Sequence, residues 1–120
     1  MKKKISLAVL IVLILVMLTA LVACNNEEAY SKRLQSKGYA IRAVIGKTYE
    51  PDYDGGYIEI FAENSKSEDY VSIKIFDKKS DADRYYSTCM TERGDDGESV
   101  YQDGRTVMYG TAQGVNDARG

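Results

Sequence analysis

Hydrophobic and polar positions divide this chain into two materials. From Ile5 to Ala23 the residues are apolar with few breaks, chiefly Ser6 and Thr19, and they follow no period. Beyond Cys24 the apolar residues become sparse and patterned. Residues 27–37 read as a helix. Asn25 or Asn26 can cap it, Glu27 and Glu28 suit its positive end, Tyr30 and Leu34 share a face, and Gly38 stops it. A strand is expected over Tyr39–Ile45, with Ile41, Ala43 and Ile45 on one side, followed by a long loop from Gly46 to Gly56.

Two further alternating runs follow. Tyr57–Ala62 puts Ile58, Ile60 and Ala62 on one face and Tyr57, Glu59 and Phe61 on the other. Asp69–Phe76 alternates most cleanly, and Glu63–Ser67 between them reads as a hairpin turn. The period then changes. Ala82, Tyr85, Tyr86, Cys89 and Met90 recur at helical spacing, with Ser80 and Asp83 as an opening capping box and Arg93-Gly94 as a stop. Ser99–Gln102 and Arg105–Tyr109 form a second hairpin through Asp103-Gly104, and Thr111 caps a short last helix that Gly114 weakens. The order α-β-β-β-α-β-β predicts an α+β fold. We expect a two-layer sandwich, a roughly five-stranded antiparallel sheet with two helices on one face, as a single small domain over residues 27–120.

The first segment is no part of that domain. Lys2, Lys3 and Lys4 form a positive n-region, and the apolar run ends in Leu21-Val22-Ala23-Cys24. These residues resemble the lipobox of bacterial lipoproteins. The resemblance implies a signal peptide over 1–23, diacylglycerol on the Cys24 thiol, cleavage after Ala23, and fatty acyl chains such as palmitate as the membrane anchor. Residues 24–26 then leave only a very short spacer. The competing reading is an uncleaved span, since Ile5–Ala23 falls just short of the ~20 residues a bilayer requires. Either reading places the domain on the extracytoplasmic face of a cell membrane.

Without Lys2–Lys4 the balance is 13 basic against 18 acidic residues, net −5, which excludes a basic nucleic-acid binder. Leu, Ile, Val and Phe supply 14 of the residues after Cys24, a thin core that ten tyrosines must supplement. The chain has no His, which removes Ser-His-Asp and Cys-His catalysis and His-ligated zinc. Cys89 is the one thiol left once Cys24 is lipidated, and it shares the apolar stripe of the second helix, so a buried inert thiol is expected. An enzyme is not expected, nor any cofactor beyond the lipid itself.

Two constellations remain as candidates. Asp52 and Asp54 lie in an acidic Gly-rich loop at calcium-loop spacing with Glu63, but Tyr57 stands where that template needs Gly, so they are weak metal candidates. Tyr49, Tyr53 and Tyr57 flank the same loop, and Phe61 shares a strand face with Tyr57; Tyr beside Asp, Gly and Ser suits a binding surface. The sequence therefore predicts a lipid-anchored interaction module for an envelope protein or cell-wall glycan. The alternative is a small-solute or calcium sensor or carrier.

Overall fold

The most regular alternation in the sequence becomes the centre of the sheet. In the computed structural model, which describes residues 27–93 and 98–120, β3 (Asp69–Phe76) lies between β2 (Gly56–Asn64) and β5 (Thr106–Thr111). β1 (Ala40–Tyr49) and β4 (Glu98–Asp103) are the edges, giving the order β1-β2-β3-β5-β4 with every pair antiparallel. The helices are α1 (27–36), α2 (Lys79–Glu92) and α3 (Ala112–Arg119). Residues Ser31–Gly120 form one compact unit. The α+β class, the five-stranded antiparallel sheet and the element order are those the sequence predicts.

Because β3 is central, both of its faces need cover. Val71 and Ile73 face the same way as Ile60, Ala62 and Met108, all nearly or fully buried. α3 lies on this side through Val115 and Ala118, and the Arg119 guanidinium stacks 3.9 Å from the Tyr101 ring centroid. The C-terminal end of α1 joins α3: Arg33 donates to the Ala118 carbonyl at 2.6 Å, and the Tyr39 hydroxyl donates to Asp117 at 2.7 Å. On the opposite face Tyr57, Phe76 and Val107 pack against Ala82 of α2, with Tyr53, Tyr85, Tyr86 and Val100 around them. Helices thus lie against both faces rather than one. Alternation says which residues share a face but not which helix will cover it.

Element ends differ from expectation where tertiary contacts intervene. β1 continues past Ile45 to Tyr49, because a register shift between Ile45 and Thr48 lets Gly46 and Lys47 bulge from the ladder. The second hairpin turns through Gly104-Arg105, one residue later than Asp103-Gly104, since Asp103 still pairs with Thr106 and Gly104 adopts φ 60°. α2 begins at Lys79 with Lys78 as an N-cap that makes no side-chain bond. Asp83 instead bonds Lys79 at 3.0 Å and Gln102 at 2.6 Å. Thr111 does cap α3, its hydroxyl accepting from the Gly114 N–H at 3.1 Å. Gly114 is a condition of that packing: a Cβ there would stand 2.2 Å from the Tyr70 carbonyl oxygen. The Arg93 N–H closes α2 onto the Cys89 carbonyl at 2.9 Å, while Gly94 and the acidic turn after it lie outside the described residues.

Candidate functional site

The acidic Gly-rich loop is clamped to the N-terminus of α2. Asp81, in the first turn of that helix and fully buried, accepts the N–H groups of Asp54 at 3.0 Å and Gly55 at 2.8 Å. Asp77 accepts from Gly56 at 3.2 Å and from Lys47, and Arg84 donates to the Asp52 carbonyl. Burial works against the Asp81 charge. The two backbone bonds, with Arg84 and Lys78 nearby, outweigh it and hold this carboxyl below its usual range. The loop therefore spends its backbone donors on the protein's own carboxylates. Among the described residues no group of three or more Cys, Asp or Glu is placed to hold a metal ion.

The four aromatic candidates are not brought together. Tyr57 is 4% exposed and donates to Glu50 at 2.8 Å. Tyr53 meets Tyr57 edge-on at 6.0 Å and Phe76 at 5.3 Å, and Phe76 meets Tyr85 at 5.6 Å. Lys74 Nζ sits 4.8 Å from the Tyr57 ring and 4.2 Å from the Tyr85 ring. Tyr57 is thus core beneath α2, which corrects the expectation that it presents a binding face, and the half-buried Tyr53 packs against that core. Tyr49 stands 73% exposed on the edge strand β1. Phe61 lies farther along β2, opposite Ser72 of β3. Cys89 is a free, buried thiol whose pKa burial raises, against the opposing hydrogen bond from Tyr85.

Phe61 instead belongs to a depression at the β2–β3 hairpin. β2 contributes Phe61 and Glu63, β3 contributes Asp69 and Tyr70, and Asn64, Ser65 and Glu68 form the rim of a hollow of about 410 Å³. The Phe61 and Tyr70 rings are 6.5 Å apart and tilted by 39°. The turn closes because Asn64 accepts at Oδ1 from the Lys66 N–H at 3.0 Å and at its carbonyl from the Glu68 N–H at 2.8 Å. Glu68 is driven to φ 64°, a left-handed conformation that a side chain disfavours. Behind the rings, Tyr70 donates to Glu98 at 2.8 Å. Tyr109 bonds the same carboxylate, and burial together with that bond pushes its pKa up to about 12. Arg42 holds Glu63 at 2.7 Å. The hollow is lined by two aromatic rings, carboxylates, a hydroxyl and an amide, with no cation among the residues that form it.

Sequence reasoning reached Phe61 but not the hollow that it forms at the hairpin. The available signal was the face parity of Phe61 and Glu63, continued across the hairpin to Tyr70, which pairs with Glu63. No known family model, curated protein or solved structure matches this chain. Among the described residues, no helix is long and apolar enough to cross a membrane.

Proposed function

We propose that the chain is a lipid-anchored extracytoplasmic interaction module that binds a cell-wall glycan or an envelope protein through the Phe61–Tyr70 hollow. The observation that carries this reading is the pairing of two aromatic rings with Asn64, Glu68 and Asp69, beside a Glu63 held by Arg42. Ring faces take the apolar side of a sugar or an extended peptide, while carboxylates and an amide take hydroxyl or ammonium hydrogens. Anionic polymers, nucleic acids included, are repelled by this lining and by the net charge of −5 after the Lys2–Lys4 segment. Anchoring comes from the lipid on Cys24, no other cofactor is required, and the role needs no catalytic group.

The test is sedimentation with purified cell-wall sacculi, run beside capture from detergent-extracted envelope proteins. Phe61→Ala removes a stacking contact worth roughly 1.5 kcal/mol, so apparent affinity should fall about tenfold, with Tyr70→Phe giving a smaller loss. Thermal melts of each variant separate lost binding from lost folding. Undiminished binding by a well-folded Phe61→Ala chain would sink the assignment of this hollow.

A further inference from the structure

The edge strand β1 combines features that a buried or freely solvated strand would not. Val44 is 51% exposed, Ile45 47% and Tyr49 73%, the large apolar exposures of the described residues apart from Met90. The segment that carries them has charge of one sign along the sequence, although Glu59 of β2 stands opposite Ile45. From Ser31 to Tyr49 the chain carries five cations (Lys32, Arg33, Lys37, Arg42 and Lys47) and no acidic residue, whereas Glu50 to Gly120 holds 8 basic and 16 acidic residues. Arg42 and Lys47 pair with Glu63 and Asp77, but their side chains remain 52% and 41% exposed. Such surface pairs are weak and exchange readily for another anion. Register shifts between Ile41 and Ala43 and between Ile45 and Thr48 interrupt the ladder at Arg42 and at Gly46-Lys47. Bulges and cations on an edge obstruct the addition of another strand, so neither a second copy nor an extended peptide fits here.

A lipid surface does not require strand pairing. Aliphatic side chains enter the acyl boundary, tyrosine settles at headgroup level, and Lys and Arg extend toward phosphate. We propose that β1 docks on the anionic lipid surface beside the anchor, with Val44, Ile45 and Tyr49 at the interface and Arg42 and Lys47 on headgroup phosphates. The proposal rests on the anchor reading, because Cys24 precedes Ser31 by only seven residues and would hold this basic segment at the bilayer. It adds an electrostatic attraction to the hold of the acyl chains on Cys24. It also orients the domain, turning the opposite edge strand β4, with Glu98 and Asp103, away from the anionic surface.

The chain contains no Trp, so a single introduced one reports its own surroundings. Tyr49→Trp, Val44→Trp and, at the opposite edge of the sheet, Tyr101→Trp would each be made in the mature lipidated chain. Each is reconstituted in phosphatidylcholine vesicles with or without phosphatidylglycerol. With brominated acyl chains, Tyr49→Trp and Val44→Trp should be quenched several-fold more than Tyr101→Trp. The difference should shrink without phosphatidylglycerol, at high salt, or when Arg42→Gln and Lys47→Gln are added, while thermal melts show each variant folded. Equal quenching at all three positions overturns the proposal, as does a protection of Tyr49→Trp that grows with protein density rather than with lipid charge. Mass measurement of the N-terminus tests the lipobox separately, because an uncleaved leader would also hold the chain at the bilayer and leave the quenching comparison valid.

Discussion

Replacing Gly114 by Ala sets two physical effects against each other. Gly114 is the third residue of α3, and by intrinsic propensity alone Ala there should stabilise the helix by about 1 kcal/mol. Packing demands the opposite. The new Cβ would stand 2.2 Å from the Tyr70 carbonyl oxygen, 2.8 Å from its carbonyl carbon and 2.9 Å from Thr111 Oγ1. Two of those atoms belong to the backbone of the central strand, which cannot turn aside. α3 must therefore lift by the better part of an ångström. Overpacking of this kind costs about 1–3 kcal/mol. The lift also stretches the 3.1 Å cap bond from Gly114 to Thr111, and an N-cap is worth ~1 kcal/mol. The net expectation is a loss of about 2 kcal/mol. For a domain of this size that lowers Tm by roughly 8–16 °C. Thermal and urea unfolding followed by circular dichroism measure it. Gly46→Ala serves as control, since nothing lies within 4 Å of a Cβ there and its φ needs no glycine. A Gly114→Ala domain as stable as the parent, or more so, would refute the packing argument.

The remaining predictions concern the core under α2 and its titration. Tyr57→Ala should destabilise by about 3–5 kcal/mol as a buried aromatic truncation, whereas Tyr57→Phe should lose only ~1 kcal/mol with the bond to Glu50, both read by urea unfolding. In acid, Asp77 (through its Lys47 bond), Asp81 (through the bonds from Asp54 and Gly55, against burial) and Asp83 (through Gln102 and Lys79) have native pKa values below the ordinary 3.8. Their stabilisation is present above that value and is lost as pH falls through the native ones, so Tm should decline below about pH 4, and less steeply in Asp81→Asn. In alkali the sign reverses. Burial first, and carboxylate or Cys89 neighbours second, raise Tyr39, Tyr57, Tyr85 and Tyr109 above the ordinary 10, Tyr109 to about 12. Their contribution is full below pH 10 and is lost as pH climbs through the native values, so tyrosinate absorbance from this subset should appear with unfolding rather than before it.

What the sequence determined by itself is local. The alternation in Asp69–Phe76, the helical stripe from Ala82 to Met90 and the turn residues after Tyr101 were enough for the α+β class and the order of elements. Alternation and helical period are short-range consequences of backbone geometry, and a thin apolar set still obeys them. The likeness of Leu21–Cys24 to a lipobox, on which the proposed anchor rests, is local in the same way, a matter of four consecutive residues.

What only the tertiary structure decided depends on contacts between distant segments. Asp81 reads as one more acidic residue of a helix start. Folding buries it against Asp54 and Gly55, so that two backbone bonds strap the acidic loop to α2. Tyr57 and Phe61 alternate identically in the sequence, yet α2 crosses over Tyr57 and leaves Phe61 at the hairpin end, where Tyr70 makes it half of a hollow. Gly114 reads as a helix weakener until the Tyr70 carbonyl is seen beside it. Periodicity tells a side chain which face of its own element it occupies. Whether that face meets a helix, a lipid or water is settled by where the rest of the chain lies.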